Sequence, residues 1–144
     1  MAIQLLQPSL MGEFTHILSR DPALDTEAEG FAEAYEQFLE HGTMPPLKPG
    51  EDPTIFTLKL VSDAELDAKI RGKLDNVGSA WSVETASYCL RSIKNLRDED
   101  GNEFVLKFER VDGFEKVCRE HRNLLGREIL AELGSICIGR QSPS

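Results

Sequence analysis

Four prolines and one glycine crowd the eleven residues 43–53 (TMPPLKPGEDP). Proline fixes φ and cannot donate to a helix or a central strand, so this segment excludes helix and predicts an extended surface path. It divides the chain into an N-terminal helical region (1–42), a Pro-rich linker (43–53) and a main α+β domain (54–140).

The charge divides at the same place. Residues 1–55 hold ten acids and only two bases, Arg20 and Lys48, whereas the rest of the chain is nearly balanced; the net charge is −9. Non-specific nucleic-acid binding needs Lys and Arg to neutralise phosphates, so an acidic N-terminal third argues against it; the acidity suits docking to a basic protein surface, or is simply that of one solvated helix. Hydrophobic content of 40% and charged content of 28% are those of a globular chain. No run approaches the roughly 20 apolar residues of a membrane span. Residues 1–10 have no basic residue ahead of their apolar run, unlike a secretory signal. Three widely spaced cysteines (Cys89, Cys118 and Cys137) suit a reducing compartment better than a disulfide framework.

Residues 2–7 form a short apolar run, and 10–19 suggest a short helix. Thr26 with Glu29 has capping-box spacing. Ala28, Phe31, Ala34, Tyr35, Phe38 and Leu39 then recur at helical intervals, with Gly42 placed as a C-terminal cap. Glu27, Glu29, Glu33, Glu36 and Glu40 occupy most of the other face. The spacing therefore predicts a helix over 26–41 with one apolar and one acidic stripe. Thr54–Val61 alternates and reads as a strand. Ser62 with Glu65 opens another helix, marked by Leu66, Ile70 and Leu74. A third helix is expected over 82–96 (Val83, Ala86, Leu90, Ile93), then a turn at Asp98–Asn102, where Asp-Gly tolerates positive φ. A strand over 103–108 follows, and a helical region over 114–138 with a break at Gly126. The expected class is α+β, mostly helical with about four to five helices, and a small antiparallel sheet of two to three strands pairing 54–61 with 103–108. Residues 2–7 are a candidate third strand.

Each chemical motif fails on a particular residue. Asp98, Asp100, Asn102 and Glu109 partly mimic a calcium loop, but Glu103 stands where the sharp-turn glycine belongs. Cys118 and His121 have the spacing of two metal ligands on a helix, without the second pair a structural zinc site requires. His16 and His41 stand alone. No phosphate-cradling glycine loop, nucleophile elbow or distinct carboxylate pair is present. No catalytic residue, metal or cofactor is expected. Arg91, Lys94 and Arg97, and likewise Lys116, Arg119 and Arg122, recur at three-residue intervals. They read as solvated helix faces or as partners of the acidic 27–40 face, within one chain or between copies in a homo-oligomer.

Three segments resemble small tailed-bacteriophage morphogenesis proteins of the tail assembly chaperone type. PGEDPTIFTLKLVSDAEL is similar to their opening strand and capped helix. YCLRSIKNLRDEDGNEF is similar to their central helix, polar turn and short strand, and LLGREILAELGSICI to their closing helix. The resemblance runs from Pro49 onward and rests on turn and capping chemistry. It implies a non-enzymatic factor of the host bacterial cytoplasm that binds the tape-measure protein and delivers it to tail-tube protein. The candidate partner surface under that reading includes the Phe31, Tyr35 and Phe38 stripe and the exposed part of the 114–138 helix; the charge asymmetry adds Glu33 and Glu36 of the acidic face. A small virion structural protein of the tail or neck, and an acidic inhibitor of a host protein, are the alternative readings.

Overall fold

The computed structural model describes residues 12–59, 79–111 and 114–141. Among them the order is β1 (Glu13–His16), α1 (Phe31–His41), β2 (Ile55–Lys59), α2 (Ser79–Cys89), β3 (Leu90–Lys94), β4 (Phe108–Val111), β5 (Phe114–Val117), α3 (Arg119–Leu125) and α4 (Arg127–Gln141). The class is α+β, with four helices and two antiparallel sheets among the described residues, and helix does not predominate in the way expected. One sheet has the order β1-β2-β3 and the other is the hairpin β4-β5. The expected run at 2–7 and the helix marked by Leu66, Ile70 and Leu74 lie outside the described residues.

Pairing differs from expectation. Strand β2 sits between β1 and β3, and the segment expected to join it pairs elsewhere: Phe108 lies opposite Val117. Residues 13–16, expected in a short helix, form β1 instead. Apolar Phe14 faces Leu58 and His16 faces Phe56, so the strand gains a ladder and a core face at once. The helix expected over 82–96 stops at Cys89 and the chain continues as β3. In the β2–β3 register Thr57 faces Ser92 while Leu58 faces Leu90, leaving Arg91 as the extra residue of a β-bulge. The bulge puts Leu90 and Ile93, three apart, on the same buried face. That spacing imitates a helix.

Helix α1 begins at Phe31, not at Thr26. Gly30 takes a left-handed conformation (φ 73°) at its N-cap with no side-chain cap bond, because residues 25–30 close turns instead (Ala28 N–H to the Asp25 carbonyl, Phe31 N–H to the Ala28 carbonyl). Gly42 caps the other end as expected, at φ 77° with its N–H on the Phe38 carbonyl at 2.8 Å. Residues 43–53 run without helix and are pinned to the 23–25 turn. Lys48 N–H donates to the Ala23 carbonyl at 2.8 Å, Asp25 N–H to the Pro46 carbonyl at 3.0 Å, and Leu24 bridges Leu47.

The region expected as helix from residue 114 starts as β5, whose Val117 is fully buried. It then turns at Cys118 into α3, and breaks at Gly126 as the sequence suggests. Residues 104–107 make no strand ladder. Phe104 N–H donates to the Leu96 carbonyl at 2.7 Å, and the Lys107 carbonyl accepts from Cys118 N–H.

The main core gathers Phe56, Leu58, Ala86, Leu90, Leu130 and Leu133 between the first sheet, α2 and α4. Its tightest seam is α2 against α4. A Cβ on Gly134 would fall 1.7 Å from the Ser82 carbonyl oxygen, so the backbones meet there without a side chain between them. Cys89 and Cys137 are buried in the same layer, and the hydrogen bond between their thiols, then burial, pushes Cys89 well above its ordinary pKa. All three cysteines are reduced. A smaller core of Ile17, Leu24 and Phe38 lies under α1. No described helix is long and apolar enough to cross a membrane.

Candidate binding cleft

The stretch after β1 and the start of α4 are drawn together by one carboxylate. Glu132 accepts from His16 Nε2 at 2.8 Å, from Ser19 N–H at 2.9 Å and from Ser19 Oγ at 2.9 Å. His16 is 1% exposed, so its ring is held from solvent, stacked on Phe38 with centroids 6.0 Å apart. Burial alone raises the Glu132 pKa, but the bonds from His16 and Ser19 outweigh it and hold the carboxyl below its ordinary value. An ionised carboxylate only accepts, so Nε2 carries the proton of this contact. Arg20 closes the same seam on the outside with Glu128 at 2.8 Å. Asp21 fixes the next turn, its two oxygens accepting from Ala23 N–H at 2.8 Å and Thr54 N–H at 2.9 Å.

These bonds hold open a cleft of about 600 Å³. Its walls are aliphatic and aromatic: Leu18 and Phe56 from the sheet side, Leu96 from the turn after β3, and Leu124, Leu125 and Ile129 from α3 and α4. Leu124 is 64% exposed at its edge, an orientation produced by the short α3 and the Gly126 break, which turns Leu125 inward and leaves its neighbour outside. The charged residues lining the cleft are Arg20, Asp21, Glu128 and Glu132.

His16 and Ser19 both converge on Glu132 rather than on each other, Ser19 Oγ itself donating to the carboxylate. What remains available is apolar surface with an acidic rim, the composition of a recognition groove.

The residues singled out in the sequence lie elsewhere. Phe38 is 3% exposed and Phe31 and Tyr35 pack half-buried against it. Tyr35 Oη donates to the Ile17 carbonyl at 2.6 Å, and burial, with the charges of Glu132 and Asp21, pushes its phenol above the ordinary value. The aromatic stripe is thus the inner face of α1, committed to the small core, and Phe38 is corrected from partner surface to core. Glu33 and Glu36 stay exposed on the outer face.

Neither basic stripe is one continuous helix face: Arg91 and Lys94 lie in β3 and Lys116 in β5, while Arg119 and Arg122 share α3. Arg91 lies in the β3 bulge, donating to the Tyr88 carbonyl and stacked 4.7 Å from the Phe108 ring centroid. Lys116 pairs with Glu84 at 3.0 Å and Arg122 with Glu109 at 3.0 Å. His121 is buried, its Nδ1 accepting from Lys107 N–H at 3.0 Å and its ring 4.6 Å from Phe104. Asp98 turns its carboxylate onto its own loop, accepting from the Asp100 and Asn102 amides. Among the described residues no group of three or more His, Cys, Asp or Glu side chains is placed to hold a metal ion.

The cleft was hidden from sequence reasoning for a simple reason: His16 and Glu132 are 116 positions apart. No protein-family model, characterised protein or solved structure gives a significant match to this chain.

Proposed function

We propose that this chain is a non-enzymatic protein-binding factor of bacteriophage tail morphogenesis, a tail assembly chaperone that holds the tape-measure protein and passes it to tail-tube protein in the host bacterial cytoplasm. One observation carries the binding reading: the apolar cleft between the β1 segment and α3–α4, edged by exposed Leu124, with its polar groups tied to one another. The resemblance of the segments from Pro49 onward supports the choice of partner. A long helical protein presents amphipathic surfaces of the kind such grooves accept.

Co-expression with the tape-measure protein of the same phage or prophage genome is the test. The chaperone reading expects soluble tape-measure protein that co-purifies with this chain, and purified phage particles that lack it. Presence of the chain in finished particles points instead to a virion component. Insoluble tape-measure protein with or without the chain overturns the reading.

A further inference from the structure

The cleft carries a charge pattern that narrows what it accepts. Of the four charged residues lining it, three are acidic; Arg20 and Glu128 offset one another in an exposed pair, so the rim stays net negative through Asp21 and Glu132. Glu132 is held in its ionised form by His16 and Ser19, and the two oxygens of Asp21 accept from the Ala23 and Thr54 amides. The apolar floor is therefore bounded by an acidic margin. The basic residues Arg91, Lys116 and Arg122 are engaged with Tyr88, Glu84 and Glu109, away from the cleft walls.

We infer that the cleft docks an amphipathic helix whose apolar stripe is flanked by lysine or arginine, with Leu124, Leu96 and Ile129 receiving the stripe and the net acidic rim of Asp21, Glu128 and Glu132 facing the basic flank. This rests on the protein-binding reading above and adds the chemistry of the partner. Leu124 is the natural anchor contact, since it is the large apolar side chain at the cleft held mostly in water. Opposite charges around an apolar contact chiefly set orientation and selectivity.

The test uses the full-length chain and two synthetic helical peptides. They share leucines at i, i+3 and i+7, and differ only in a flank of lysines or of glutamates. At low salt the lysine peptide is expected to bind about tenfold more tightly, because the net negative rim attracts one peptide and repels the other. The preference should shrink as salt is raised. Amide shifts should map to Leu96, Leu124 and Ile129. Leu124→Ser, a change at an exposed position, should abolish binding of both peptides, and Glu128→Lys should erode the preference for the lysine peptide.

Equal binding of the two peptides overturns the charge selection while leaving the protein-binding reading in place. No binding of either, or a concentration-dependent self-association abolished by Leu124→Ser, overturns the cleft as a dock for a basic helix. The co-expression experiment with tape-measure protein decides the broader function separately.

Discussion

Replacing Gly134 with alanine separates two opposite expectations by sign. In an isolated helix Gly→Ala is stabilising by about 1 kcal/mol, through backbone entropy and helix propensity. In this fold the added methyl would lie 1.7 Å from the Ser82 carbonyl oxygen, 2.5 Å from its carbonyl carbon and 2.8 Å from its Cα. All three atoms are backbone, so no rotamer relieves the contact. Restoring van der Waals distance requires α2 and α4 to separate locally by roughly 1.5 Å, and gaps of that order forfeit a large share of the dispersion contact on both sides. Overpacking of a tight core typically costs 1–3 kcal/mol. The seam at stake includes Ala86, Cys89, Leu133 and Cys137, each with no exposure.

We expect G134A to be destabilised by about 2 kcal/mol net of the helix gain, lowering Tm by about 4–8 °C in a chain of this size. Urea unfolding followed by circular dichroism measures it. Adding Ser82→Gly should rescue nothing, because the clash is with main chain. If G134A instead gains stability, the close approach of α2 to α4 is wrong.

Other expectations follow from the polar contacts. Glu132→Gln should lower stability near neutral pH by about 1–3 kcal/mol, the usual worth of hydrogen bonds to an ionised group. The folded pKa of Glu132 is depressed. Its contribution is therefore full above the unfolded value of about 4.3 and is lost as pH falls through the lower folded value. Urea midpoints of wild type and variant should converge in that acid range and stay apart above it. His121→Phe keeps a ring against Phe104 but removes the acceptor of the Lys107 amide; it should cost about 1–2 kcal/mol, with faster hydrogen exchange at Lys107. Tyr35→Phe removes the donor to the Ile17 carbonyl and should cost about 1 kcal/mol, measured by chemical unfolding.

What could be read in advance was local chemistry. The α1 stripe, the Gly42 cap, the Asp98–Asn102 turn, the β2 alternation and the Gly126 break depend on neighbours in sequence. Two kinds of feature were not legible. The Arg91 bulge converts the period of a strand into that of a helix, so Leu90 and Ile93 carry a misleading pattern until their partners in β2 are known. Residues 114–117 are too few to show either period, and only pairing with 108–111 makes them a strand. The aromatic face of α1 was legible as apolar, but which surface it meets was not. Burial against His16, Ile17 and Leu24 turns it from a docking candidate into core. The cleft needs Leu18, Leu96 and Ile129 brought together from distant segments by contacts such as His16–Glu132, for which one sequence holds no local sign.

The most direct measurement of the proposed role is the amount of soluble tape-measure protein recovered on co-expression with the wild-type chain and with Leu124→Ser. Leu124 is largely exposed, so the variant keeps the fold, to be verified by its unchanged unfolding midpoint. Binding through the cleft predicts a complex with the wild type and its loss, by tenfold or more, with the variant. Equal recovery with both chains contradicts it.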